Sequence, residues 1–233
     1  MGSEMCIRDS PPTVYSEMLP SEYSRDSLLK PKKFTHYSMG LYVLFFGSKK
    51  KFSDVAHHTI WMSERYKELL HDIFEKKILT EDFSLYLHRP TATDDTFAPE
   101  GCDSFYVLCP VPNLQGNVQW NLEGPKLKDR IVEALDKTIM PGLKENIEAE
   151  FWMTPEDFKN DYRSKYGAGF SVAPIFSQSA WFRYHNKDKK IPNLYFSAAG
   201  SHPGAGIPGV LCSAKVIEKL SLIHISEPTR PLY

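Results

Sequence analysis

The segment Asn193–Val216, NLYFSAAGSHPGAGIPGVLCSAKV, carries the pattern with the most chemical content in this sequence. An apolar run, Leu194, Tyr195 and Phe196, enters a stretch holding Gly200, Gly204, Gly206 and Gly209, and a helix is expected from Ile207. Glycine lets the backbone take positive φ and lets a flat or anionic ligand approach without a Cβ in the way. The helix that follows presents its first N–H groups, and the positive end of its dipole, to whatever lies in front. A strand–loop–helix of this kind suits a phosphate, a ribityl chain or the electron-rich edge of a flavin pyrimidine. The spacing is not G-x-G-x-x-G, so it is not the ADP grip of a primary dinucleotide-binding unit. Taken alone, it reads equally as a glycine-rich helix entry without a ligand.

Other reactive side chains are scattered. Trp181, Phe182 and Tyr184 flank Arg183 in QSAWFRYHN, just ahead of the glycine segment, and core packing is the ordinary role of such aromatics. His202 sits inside the loop, where a packed ring or a loop-fixing hydrogen bond fits better than a general base. His57 and His58 are adjacent, so on a strand they point to opposite faces and cannot both serve one site. Cys6, Cys102, Cys109 and Cys212 contain no CxxC pair and read as small buried thiols of a reducing compartment. No group of His, Cys, Asp and Glu has metal-ligand spacing, so no metal is expected, and no nucleophile–base pair stands out.

Elements that position these residues follow from the apolar spacing. Ser38–Gly47 (SMGLYVLFFG), His57–Trp61, Leu85–His88, Phe105–Cys109 and Ile147–Met153 read as strands, and Asn193–Ala199 as a last strand. Helical spacing runs through SERYKELLHDIFEKK from Ser63. In Gly124–Met140, Leu127, Ile131, Leu135 and Ile139 form an i, i+4 ridge stopped by Pro141-Gly142. Thr154 followed by Pro155, Glu156 and Asp157 is a helix start, and Ile207–Leu220 is the final helix. Strands and helices alternate irregularly, which gives an α/β or α+β chain.

With 233 residues, 42% hydrophobic and 24% charged, the chain is long enough for one or two domains with a real core. Its net charge of -1 argues against a nucleic-acid binder. The basic runs Lys30, Lys32, Lys33 and Lys49, Lys50, Lys51 read as solvated turns, or as contacts for anionic lipid head groups. No apolar stretch approaches the roughly 20 residues of a membrane span, and no apolar leader opens the chain.

Both ends have the character of translated adapter DNA. GSEMCIRDS, Gly2–Ser10, and LSLIHISEP, Leu220–Pro228, can be encoded by opposite strands of one DNA segment. Residues 1–10 and 220–233 are therefore expected to be extended, with few contacts, and Cys6, His224 and Arg230 carry no functional weight.

GSHPGAGIPGVLCSAKV is similar to the C-terminal signature of bacterial-type phytoene desaturases, within the amine-oxidase-like flavoproteins. The resemblance extends in order through FGSKKKFSDVAHHTIWMSERYKELLHDIF, DFSLYLHRPTATD, APEGCDSFYVLCPVPNLQGNVQW, MTPEDF and QSAWFRYHN. Ala198 and Ser201 stand where the family tends to have Gly and Thr. The resemblance implies a chain roughly twice this long and a partial FAD-linked oxidoreductase fold. Residues 11–190 would be part of a substrate-binding domain built on a sheet with helices. Residues 191–219 would be the C-terminal return to the FAD domain, whose N-terminal dinucleotide-binding unit is not among these residues. It implies FAD as cofactor, in contact with Gly200, Ser201, His202, Gly204, Gly206, Ile207, Pro208, Gly209 and Val210. It implies oxidoreduction of CH–CH groups, dehydrogenating phytoene, a forty-carbon polyene, toward neurosporene or lycopene. Trp181, Phe182 and Arg183 would line an apolar path for that substrate, at a cytoplasmic membrane surface. The resemblance names no catalytic acid or base here. A hydroxycarotenoid desaturase, a carotene isomerase, or a non-catalytic isoprenoid binder of the GDP-dissociation-inhibitor architecture are the alternatives.

Overall fold

The computed structural model describes residues 11–20, 35–189, 191 and 193–226. Two compact units share them: Met39–Phe158, and the described residues up to Ser38 together with those from Lys159 on. The expected boundary at 190/191 falls inside the second unit, so residues 159–190 group with the glycine segment.

The first unit is a five-stranded antiparallel sheet with helices, an α+β arrangement. The strands are β1 (Gly40–Ser48), β2 (His58–Trp61), β3 (Leu85–His88), β4 (Asp103–Val111) and β5 (Ile147–Met153), in spatial order β2-β3-β4-β1-β5. In β4, residues alternate strictly between buried and half-buried, as a sheet covered on one face requires. The covered face carries Tyr42, Leu44, Phe46, Leu85, Leu87, Phe105, Val107 and Cys109. Against it lies α2 (Trp120–Lys137), which follows α1 (Tyr66–His71), and the ridge Leu127, Ile131 and Leu135 is fully enclosed. This helix begins a turn before the expected Gly124 because Trp120 is buried, its ring 6.4 Å from that of Tyr42. The Tyr42 hydroxyl donates to the Gly124 carbonyl at 3.0 Å. Burying one Leu or Ile of this ridge is worth about 1.5–3 kcal/mol. After α3 (Leu143–Asn146) and β5, α4 (Pro155–Asn160) starts where the sequence places it. Thr154 Oγ1 accepts from the Glu156 N–H at 3.2 Å, and Asp157 Oδ2 accepts from the Thr154 N–H at 2.6 Å.

A buried ion pair pins the loop between β1 and β2. Arg89 Nε donates to Asp103 Oδ2 at 3.1 Å, while Asp103 also accepts from Thr91 Oγ1 at 2.6 Å and from the Phe52 N–H at 2.7 Å. The Arg89 guanidinium reaches the Val55 carbonyl at 3.0 Å, and its own N–H donates to the His57 carbonyl at 2.9 Å. Both charges are satisfied several times over, which is the condition for burying them.

The second unit is mostly irregular backbone. The last strand expected at Asn193–Ala199 is absent: Tyr195 makes one isolated antiparallel bridge to Lys187, and the segment pairs with 186–188 through single hydrogen bonds. The partner it meets is itself a loop, so no ladder propagates. The final helix, α5, spans Ile207–Ser226 and overruns the expected stop at Leu220. No Gly or Pro interrupts the chain between Gly209 and Pro228, so nothing local ends the helix. The extended course expected from Leu220 is therefore not met as far as Ser226. Residues 1–10 and 227–233, with Cys6, lie outside the described residues, as do Lys30, Lys32 and Lys33.

Candidate functional site

The glycine loop is scaffolded by two buried polar side chains upstream of it. Arg183, 4% exposed, distributes its guanidinium over backbone carbonyls. Nε and Nη2 donate to Ala199 O at 2.9 and 2.6 Å, Nη2 also to Phe170 O and Val172 O at 3.1 and 3.2 Å, and Nη1 to Gln178 O at 3.2 Å. Burial lowers its pKa, yet a guanidinium stays charged in a protein. Its charge thus closes the turn at Ala199–Gly200 from inside. Asn186, also 4% exposed, does the same one turn later. Its Nδ2 lies 3.0 Å from Phe196 O, 2.8 Å from His202 O and 2.9 Å from Ser213 Oγ.

Ser201 completes this scaffold. Fully buried, its Oγ accepts from the Ala198 N–H at 3.1 Å and stands 3.1 Å from Ser213 Oγ on α5. The His202 N–H donates to Tyr184 O at 2.7 Å. His202 Nδ1 is 2.9 Å from Ala180 O, and a carbonyl only accepts, so Nδ1 carries the proton. A loop-fixing bond is one of the two roles expected of this ring from the sequence, the other being a packed ring.

Beyond His202 the backbone is open. Gly204 and Gly206 have φ of +146° and +95°, and a Cβ on Gly206 would meet no atom within 4 Å. A Cβ on Gly209 would instead stand 2.6 Å from the Gly204 carbonyl oxygen. Gly206 is thus required by conformation and Gly209 by space. The first bond of α5 runs from the Val210 N–H to Gly206 O at 2.9 Å, so the Ile207 and Gly209 N–H groups precede the helix ladder. Pro208 between them has no N–H to satisfy. Ile207 and Leu211 stand 79% and 61% exposed on the first turns.

Trp181, Phe182 and Arg183 meet at a cavity of about 390 Å³ in this unit, whose wall also includes Tyr184 and Phe196. Trp181 packs edge-on to His185 at 5.0 Å between ring centroids, and Phe182 faces Phe176 at 5.9 Å. Both rings are more than half exposed, while the Arg183 charge is committed to the backbone.

In the sheet unit, the uncovered face carries a feature absent from the sequence reading. The residues directly opposed across the five strands are His58, His88, Tyr106, Phe45 and Phe151. Their successive ring centroids are 5.1, 4.7, 5.9 and 4.5 Å apart, a continuous aromatic row. At about 4.8 Å per strand it spans about 19 Å. Phe45, His88, Phe97, Tyr106 and Phe151 line a groove of about 510 Å³ along it. The alternation within Phe105–Cys109 is legible in the sequence, but the register that aligns these rings is not.

The separation of His57 and His58 expected from strand alternation is also overturned. His57 precedes β2, so the two rings stack 4.3 Å apart, and His57 Nε2 reaches His88 Nε2 at 2.8 Å. The three imidazoles form a group with metal-ligand proximity, which linear spacing could not reveal because His88 comes from another strand. Burial, and then the neighbouring rings of His57 and His58, lower the His88 pKa. Cys102, Cys109 and Cys212 are free thiols, and burial pushes that of Cys109 up to about 12. No helix among the described residues is long and apolar enough to cross a membrane.

No family model matches the chain. It is 48% identical over 213 residues to a lycopene-forming phytoene desaturase of Pantoea ananas, covering 90% of this chain and 43% of that protein. A lycopene-forming phytoene desaturase of Pseudescherichia vulneris is 50% identical over 214 residues, covering 90% and 43%. A neurosporene-forming phytoene desaturase of Rhodobacter capsulatus is 47% identical over 189 residues, covering 79% and 36%. The chain thus spans less than half the length of these curated relatives. A solved oxidoreductase of Methanosarcina mazei aligns with a TM-score of 0.44 at 14% identity, over 79% of this chain and 35% of that one. Over about nine tenths of its length the chain is thus similar, at 46–50% identity, to bacterial phytoene desaturases.

Proposed function

We propose that the complete polypeptide carrying these residues is a FAD-dependent phytoene desaturase, with residues 200–210 as one of its flavin contacts. The observation that carries this reading is the Cβ-free backbone of Gly204, Gly206 and Gly209 at the start of α5, held by Arg183, Asn186 and Ser201. The Ile207 and Gly209 N–H groups fit the polar edge of a flavin ring, where donors stabilise negative charge. FAD would supply the two-electron oxidant for removing hydrogen from a CH–CH unit. The residues of this chain bind and orient; none of them is assigned as acid or base. Trp181 and Phe182 offer apolar surface for the substrate in one unit, and the aromatic row from His58 to Phe151 offers it in the other. Arg183 serves this surface by holding the loop.

A forty-carbon substrate is favoured over a thirty-carbon one by the relatives. Five relatives named for phytoene stand at 46–50% identity and one, of Myxococcus xanthus, at 35%, whereas two named for 4,4'-diapophytoene stand at 33% and 34%. A substrate that dissolves in lipid calls for association with a membrane surface. The exposed Ile207 and Leu211 supply apolar contacts of the kind such association uses.

The test is expression of the complete polypeptide in a phytoene-accumulating bacterium, with pigments separated by chromatography and flavin measured in the purified protein. Coloured polyenes and one flavin per chain are expected. Gly209→Val should lose the flavin while circular dichroism stays unchanged. A colourless host, or full flavin occupancy in that variant, overturns the assignment.

A further inference from the structure

Three imidazoles converge at one edge of the sheet. His58 on the edge strand β2 faces His88 on β3 in register, and His57 stands immediately before β2. One ring nitrogen of each lies within 4.8 Å of the other two. Two of the far nitrogens are already engaged: His57 Nδ1 by the Thr93 hydroxyl, and His58 Nδ1 by the Tyr86 hydroxyl at 2.7 Å. Metal-binding histidines are oriented in this way, with a partner fixing one nitrogen so that the other points to the ion. His58 Nε2 is left for a shared ligand, and His57 Nε2 meets His88 Nε2 at 2.8 Å, where the ion would enter between them. Nδ1 of His88 is buried without a hydrogen-bond partner among the described residues.

We propose that His57, His58 and His88 form a site for a zinc-type transition-metal cation, independent of the flavin reading. Imidazole suits Zn2+, Cu2+ and Ni2+, whereas Mg2+ and Ca2+ require the oxygen ligands this group lacks. Three neutral ligands leave one tetrahedral position for water or an anion. Bonds of 2.0–2.1 Å set ligand nitrogens about 3.3 Å apart. His57 Nε2 and His88 Nε2 stand 2.8 Å apart, so the two rings separate by about half an ångström to admit the ion. The rings of His57 and His58 are within 12° of parallel, and lone pairs in parallel planes do not meet. His58 must therefore turn. It is exposed, so the turn breaks no core contact, and the Tyr86 hydroxyl on the adjacent strand can follow. Bound metal would clamp the edge strand to β3 and the Thr93 turn.

Zn2+ titrated calorimetrically into the full chain tests the site. One equivalent should bind, with affinity at least tenfold weaker in His58→Gln and in His88→Gln but unchanged in the exposed control His71→Gln. Substituting Co2+ should give a visible spectrum without a thiolate charge-transfer band, which separates this site from Cys212. If His88→Gln fails to fold, His58→Gln decides, because its side chain is solvent-facing. Absence of saturable binding at one equivalent overturns the proposal, and so does equal affinity in His58→Gln and the control.

Discussion

The two units of this chain are held together by different physics. In the sheet unit, apolar side chains from β1, β3, β4 and α2 make one continuous core running from Tyr42 to Leu143. In the other unit, the buried apolar cluster among the described residues is Tyr37, Ala168 and Val172, with Tyr184 against it. Cohesion there comes from Arg183, Asn186 and Ser201 bonding to backbone that no ladder satisfies. A core of the first kind spreads its stability over many apolar contacts. A scaffold of the second kind concentrates its stability in a few side chains, but it can hold a glycine loop that regular structure could not accommodate.

The largest effect that separates the two is in the sheet core. Ile131→Ala should cost about 2–5 kcal/mol, read as a lower urea midpoint of the transition that removes the sheet signal. A cost below the range for surface substitutions would show that α2 does not bear on the core as described. Next comes Arg183→Ala, which leaves several carbonyls unpaired. The expected cost is roughly 1–3 kcal/mol in all, with amides of residues 196–204 exchanging faster and those of β4 unchanged. If β4 amides lost protection equally, the two modes of cohesion would not be separable. Asn186→Asp keeps the shape but replaces the donor with an acceptor facing Phe196 O and His202 O. It should cost roughly 1–3 kcal/mol, with the same local exchange pattern.

Thiol chemistry sharpens the contrast without a mutation. Burial that pushes Cys109 up to about 12 leaves almost no thiolate at pH 8, whereas Cys212 is exposed on α5. Iodoacetamide should modify Cys212 in the native protein and Cys109 only as the sheet unfolds. The smallest effect concerns acid. Asp72 is held below the usual carboxylate range, first by its hydrogen bond with Lys76 and then by Arg65. Its contribution is present above the unfolded value and is lost as pH falls through the lowered native one. Asp72→Asn should therefore lower the urea midpoint at pH 7, and the difference from the parent should shrink toward pH 3.

Local regularities were legible from neighbours alone. The strand Ile147–Met153 coincides with β5, and the Thr154–Pro155 helix start is where the structure has it. The ridge Leu127, Ile131 and Leu135 is buried as its spacing requires. These features depend on side chains within a few residues of one another, so the chain order already contains them. The glycine loop was legible as a motif too, because an unusual density of one residue type marks it.

Partnership across the chain was not legible. Leu194, Tyr195 and Phe196 have strand-forming character, yet they meet the loop 184–188 and make a single bridge. Arg183 reads as a charge available to a substrate until the carbonyls around it are known. Asn186 carries no mark in sequence that it would be buried beneath the glycine loop. The aromatic row and the three histidines depend on strand register, in which a shift of one residue moves every side chain to the other face. The sequence by itself determined the strands and main helix of the sheet unit and where backbone would be left bare. Tertiary structure decided which side chains face one another, because register and burial are set by contacts between residues tens of positions apart.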